Sequence, residues 1–157
     1  MGLWYEGRMI FKTIAIGADH AGVDLKNALK NWLQGQGIRV LDMGTDGKDS
    51  VDYPDYAGKV ARAIGDAKAD GGILICGSGQ GMIMAANRYT FIRAALVSDE
   101  EEAKLTRQHN NANIIAFGAR RIQPEKAVAA LKTFLSTAYE GGRHDNRVNK
   151  LTNLGGC

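Results

Sequence analysis

Two rhythms of apolar and polar positions alternate along this chain. Short, largely apolar runs lie at Thr13-Ile14-Ala15-Ile16, Ile38-Arg39-Val40-Leu41, Ile73-Leu74-Ile75, Ile92 to Val97 and Asn113 to Phe117. Runs of this length and character predict strands buried on both faces. The stretches between them have helical spacing. Val23, Leu25, Leu29 and Leu33 recur at helical intervals around Lys26 and Lys30, and Gly35 and Gly37 stop that helix. Pro54 suits the first turn of a helix reaching about Ile64. A short helical segment follows at Met82 to Asn87, and Ser98-Asp99-Glu100-Glu101-Glu102 reads as an acidic helix start. Pro124 opens the last long helix, to about Tyr139, and a polar tail from Glu140 carries Val148, Leu151 and Leu154 at helical spacing.

Five strands alternating with helices predict an α/β fold, a parallel sheet covered on both faces. In such folds ligands bind beyond the carboxyl ends of the strands. That rule sets Asp19, His20, Cys76 and residues near Val97 and Gly118 on one rim.

Composition narrows the function. A chain of 157 residues, 45% hydrophobic and 24% charged, fits one domain with a proper core. The net charge of +3 is weak, and without a basic block or zinc spacing it argues against nucleic acid. No apolar run is long enough for a bilayer, so no membrane span is expected. The N-terminus lacks a signal-peptide core and cleavage site. Two cysteines, Cys76 and Cys157, make no disulfide framework and fit a reducing cytoplasm.

The candidate chemistry centres on residues 70–81, DGGILICGSGQG. A buried strand delivers Cys76 into the turn Gly77-Ser78-Gly79-Gln80-Gly81 at a helix N-terminus. Glycines let backbone N–H groups converge on an anion, and the helix end adds partial positive charge. The same field favours the thiolate and makes Cys76 a usable nucleophile or base. The alternative is a tight connection holding a buried cysteine. Three histidines are present, His20, His109 and His144. Asp19 beside His20 could orient the imidazole or move a proton, or simply cap a helix. His109 closes a helix, where the dipole also favours it. Arg143, His144 and Arg147 lie within five residues, and in a helix the two arginines share a face that suits a phosphate. Arg120 follows the fifth strand at the predicted rim. A basic solvated tail is the plainer reading of the last group.

Six segments in order carry a resemblance: Ala15 to Gly22 (AIGADHAG), Asp52-Tyr53-Pro54, Cys76 to Gly81, Arg107-Gln108-His109-Asn110, Gly118-Ala119-Arg120 and Tyr139 to His144 (YEGGRH). Over about Thr13 to Leu154 the chain resembles the type B ribose-5-phosphate isomerases, in the family that also holds galactose-6-phosphate isomerase subunits. The resemblance implies a Rossmann-like αβα sandwich with a C-terminal helical tail, in one domain over residues 1–157. It implies a cytoplasmic, cofactor-free and metal-free enzyme of the pentose phosphate pathway that interconverts ribose 5-phosphate and ribulose 5-phosphate. Cys76 becomes the base that moves a proton between C1 and C2. Gly77, Ser78, Gly79, Gln80 and Gly81 hold the enediolate oxygens. His109 helps open the furanose ring, and Asp19 assists proton transfer between the sugar oxygens. His20, Arg143 and Arg147 bind phosphate, with His144 beside them. Arg120 also contacts substrate, and Tyr53 lines the pocket. The implied assembly is a homodimer or dimer of dimers with a shared site. His109, Asn110 and Arg120 then come from the partner subunit, and the tail from about residue 140 docks there. Some family members lack the cysteine and use a glutamate just after the glycine loop. Met82 stands at that position here, so the cysteine route is expected. Residues 1–8 fall outside the resemblance and read as an extension or as an early start, with Met9 the other candidate.

Three other readings compete. The loop is G-S-G-Q-G after the third strand, not the G-x-G-x-x-G after the first that a dinucleotide needs. A cysteine hydrolase would pair Cys76 with His109. A non-catalytic sugar-phosphate-binding module on the same scaffold, or an isomerase of six-carbon sugar phosphates such as allose 6-phosphate or galactose 6-phosphate, also fits the residues.

Overall fold

The computed structural model describes residues 8–154; the expected extension, except Arg8, and Cys157 lie outside them. Five strands form one all-parallel sheet: β1 (Thr13–Ala18), β2 (Arg39–Asp42), β3 (Gly71–Cys76), β4 (Ala94–Leu96) and β5 (Ile114–Gly118). The spatial order is β2-β1-β3-β5-β4. The helices are α1 (Val23–Gly35), α2 (Tyr53–Gly65), α3 (Gln80–Ala86), α4 (Glu100–Asn110), α5 (Pro124–Ser136) and α6 (Asp145–Asn153), with 3-10 turns at His20–Gly22 and Gly142–His144.

Period-two alternation divides the strand side chains between two cores. Ile14, Ile16, Ile73, Ile75, Ile115 and Phe117 join Leu29 and Leu33 of α1 and Leu131, Phe134 and Leu135 of α5 on one face. Ala15, Leu74, Cys76, Ile114 and Ala116 join Val60 of α2 and Met82 and Ala86 of α3 on the other. With both faces covered, each fully buried Leu, Ile or Phe side chain contributes roughly 1.5–3 kcal/mol. This parity also sends the Cys76 side chain toward α2 and α3.

Two elements differ from the sequence expectation. The fourth strand is only Ala94–Leu96. Its approach is taken up by side chains, since the Arg93 N–H donates to Asn113 Oδ1 at 2.8 Å and Asn87 Oδ1 takes the Ala94 N–H at 2.8 Å. The last long helix ends at Ser136 rather than Tyr139. Thr137 is extended, and its carbonyl accepts the Arg107 Nε–H at 3.0 Å, which draws the chain toward α4.

A charged knot ties α1 to the end of β2. Lys26 Nζ, fully buried, lies 2.7 Å from Asp42 and 2.8 Å from Asp46, and Lys30 lies 3.1 Å from Asp42. Burial alone would raise the Asp42 carboxyl, but hydrogen bonds from Lys26, the Gly44 N–H and Lys30 outweigh it and hold it below 3.8. Burial alone would lower Lys26, but hydrogen bonds to Asp42 and Asp46 outweigh it and hold the ammonium above 10.5. Asp42 therefore adds stability above its unfolded value of 3.8, and that stability is lost as pH falls through its lower folded value. Lys26 adds stability below 10.5 that is lost as pH rises through its higher folded value. Thermal melts should show a falling Tm below pH 3.8, and Asp42→Asn should make that acid limb shallower. An acid limb unchanged by the substitution would show that Asp42 does not set it.

Candidate active site

The chain order reverses between β1 and β3, which opens a crevice at their carboxyl ends. Ala18 pairs with Ile75, so Asp19 and Cys76 leave the sheet side by side. The Asp19 N–H donates to the Ile75 carbonyl at 3.1 Å. Its side chain caps the 3-10 turn by accepting the Ala21 N–H at 3.0 Å on Oδ1. The turn closes over β3 because residue 22 is glycine, whose Cβ would otherwise stand 2.7 Å from Ile75 Cγ2. His20 Nδ1 accepts the Val51 N–H at 3.2 Å. A neutral imidazole used this way carries its proton on Nε2 and offers it as a donor. The loop that supplies Val51 begins at Asp42, so the Lys26 knot sits at its root.

Cys76 is buried, and its Sγ accepts the Gly79 N–H at 3.1 Å. Gly79 has φ +79°, the left-handed region that favours glycine. The loop lies close on β5: the Arg120 N–H donates to the Gly77 carbonyl at 3.0 Å. The resemblance puts Arg120 on the partner's side, yet its guanidinium lies against Gly77 of its own chain, 3.1 Å from where a Cβ would be. Ser78 Oγ accepts the Gln80 N–H at 3.3 Å, which leaves the hydroxyl proton to donate elsewhere. The Tyr53 ring covers Gly81, where a Cβ would come within 2.5 Å of it. Met82 is wholly buried in the core, whereas Met84 is 65% exposed beside Tyr53.

The remaining candidates lie at the other end of the molecule. α4 leaves the carboxyl end of β4 and runs back for 11 residues, about 15 Å, so His109 and Asn110 sit by the amino ends of the strands. There the His109 and His144 rings stack, with centroids 4.5 Å apart and planes 17° apart. The resemblance sets His144 beside the phosphate ligands. It is 6% exposed, so it backs His109 instead of facing solvent. Its Nε2 lies 3.4 Å from Glu140 Oε2 without a hydrogen bond. The Glu140 N–H donates to the Gln108 carbonyl at 3.1 Å, which roots the tail on its own chain. Val148 of α6 is buried, while Leu151 and Leu154 stay exposed. Arg143 and Arg147 are exposed, and Arg147 Nη1 donates back to the Arg143 carbonyl at 3.1 Å.

Two contributors escaped the sequence reading. Arg107 is buried and donates to the Thr137 and Ala112 carbonyls while lying over the Phe11 and Phe134 rings, fixing the end of α4 that carries His109. Glu140 faces His144 at i, i+4, a spacing the sequence displays.

Fold and site together define a class: a Rossmann-like αβα enzyme with a thiol, a carboxylate and backbone donors at the switch point of its sheet. The chain belongs to the ribose/galactose isomerase family, whose pattern residues 14–151 match. Ribose-5-phosphate isomerase B of Escherichia coli K12 is 45% identical over 141 residues, which span 90% of this chain and 95% of that one. A ribose 5-phosphate isomerase from Thermotoga maritima superposes with a TM-score of 0.89 at 51% identity, covering 90% of this chain and 98% of its own. Ribose-5-phosphate isomerase B from Mycoplasma genitalium, solved with bound ribulose-5-phosphate, gives 0.87 at 38% identity over 93% and 97% of the two chains. This chain is an isomerase enzyme. No helix among the described residues is long and apolar enough to cross a membrane.

Proposed function

We propose that this isomerase interconverts ribose 5-phosphate and ribulose 5-phosphate through an enediolate, in the cytoplasm and without a cofactor. The observation that carries the reading is Cys76 beside Asp19 at the sheet's switch point, with its sulfur on the Gly79 N–H. In this reading the Cys76 thiolate takes the proton from C2 of the open-chain aldose and returns it to C1. Asp19 passes a proton between the two sugar oxygens. Donors of the Gly77–Gly81 loop and Ser78 meet the negative charge as it develops, where preorganised donors act most strongly. His20 offers Nε2–H to the phosphate, and Arg143, Arg147 and Arg120 supply charge.

Within one chain His109 stands far from Cys76. The separation supports a site shared by two copies, in which one chain's Cys76 rim meets the other's His109 rim. Exposed Tyr53, Met84, Leu151 and Leu154 are consistent with such a face. The direct test is ketose formation from ribose 5-phosphate by the purified, metal-free protein, with allose 6-phosphate alongside. Turnover of the six-carbon substrate alone would replace the five-carbon assignment. Binding of both without turnover would leave a sugar-phosphate-binding module. His109→Asn should slow furanose substrate by about 10²-fold or more while sparing open-chain substrate. Equal losses on the two would remove the ring-opening role.

A further inference from the structure

His109, Glu140 and His144 meet at the rim away from Cys76, with one ligating atom from each all within 4.8 Å of one another. The His144 Nε2 is buried and has no hydrogen-bond partner, although it lies 3.4 Å from Glu140 Oε2. A buried imidazole nitrogen left unpaired beside a carboxylate is costly unless something fills the gap. The geometry points to a zinc-class divalent cation held by His109, Glu140 and His144.

The donor set selects the ion. Two imidazole nitrogens and one carboxylate suit zinc or cobalt, whereas magnesium and calcium prefer oxygen alone. Three protein ligands leave a fourth position for water, as in open zinc sites. The frame is held on both sides. Arg107 fixes the end of α4 under His109, and the Glu140 N–H is pinned to Gln108. The rings now stack with planes 17° apart, so their in-plane lone pairs run side by side. Metal–nitrogen bonds of about 2.0–2.1 Å bring ligand atoms to about 3.3 Å apart, so the widest pair closes by about 1.5 Å. His109, the less buried of the two rings, tips out of the stack to do so.

The consequence for activity rests on the isomerase reading above. A cation that occupies an imidazole nitrogen of His109 takes the group assigned to ring opening. It should inhibit turnover of furanose substrate and spare the open-chain form. Zinc-class ions are then inhibitors of this enzyme, not cofactors.

The test is a calorimetric titration of chelator-stripped protein with zinc chloride, beside cobalt titrations followed by visible absorption. Wild type should bind one ion per chain, with no sulfur-to-cobalt charge-transfer band. Glu140→Gln and His144→Asn should each weaken binding tenfold or more, and Cys76→Ala should leave it unchanged. The turnover of Glu140→Gln, read against its own metal-free rate, should be insensitive to zinc. Absence of binding, binding indifferent to both far-rim variants, or binding lost with Cys76→Ala would overturn the site. Circular dichroism identifies a variant that fails to fold, and the other far-rim variant then decides. A failure of the isomerase reading shows as absent turnover in metal-free protein and leaves the titrations intact.

Discussion

Replacing Cys76 with alanine should abolish isomerisation of ribose 5-phosphate, lowering kcat by about 10³-fold or more. In the reading proposed above the thiol is the carbon base, held at the switch-point crevice by the Gly79 N–H. Met82, just after the glycine loop, lies in the core and takes no proton. Asp19 is near, but its Oδ1 is engaged by the Ala21 N–H. The variant should still bind a phosphate ligand, because His20 and the arginines are untouched. Proton exchange at C2 in deuterated water, followed by NMR, reads the step directly. Exchange at the wild-type rate in Cys76→Ala would assign the base elsewhere.

Gly79→Ala should damage stability and turnover together. The position has φ +79°, and an added Cβ would collide with Leu96 Cδ1 and stand 3.0 Å from the Phe117 carbonyl carbon and 3.1 Å from the Gly118 nitrogen. The leucine tip can move, but the β5 backbone cannot. The loop must therefore lift, and it carries the N–H that holds Cys76 Sγ. A loss of about 2 kcal/mol is expected from strain and overpacking, with kcat falling about tenfold or more as the donors leave their positions. Gly35→Ala is the control, since nothing lies within 4 Å of its Cβ position and it closes a helix. That change should be neutral or slightly stabilising. Urea midpoints and kcat measured on both variants settle it. Equal behaviour of the two would mean that the Gly79 conformation matters little.

The strands were legible because each carries a short apolar run, buried on both faces in β1, β3 and β5 and only partly buried in the edge strands β2 and β4, and the Cys76 loop because its glycines punctuate one. The switch point between β1 and β3 was not, since strand order depends on pairings between distant segments. The burial of His144 was hidden for a similar reason. Its neighbours in sequence are glycine, arginine and aspartate, and the His109 ring that stacks on it lies 35 positions earlier. The end of α5 was overrun because a buried arginine 30 residues upstream captures the Thr137 carbonyl. Local pattern reads what a segment buries; it does not read which distant side chain stops it.

The two rims, so far apart in one chain, have a further consequence if the site is assembled as proposed. Cys76→Ala, which should not isomerise at all, and His109→Asn, which should turn over furanose substrate poorly, each spoil a different rim. In a hybrid of the two, one crevice inherits both lesions and the other inherits neither. Mixing the two variants under exchange conditions should therefore raise furanose turnover well above that of either alone, and a mixture that gains nothing would place the whole site within a single copy.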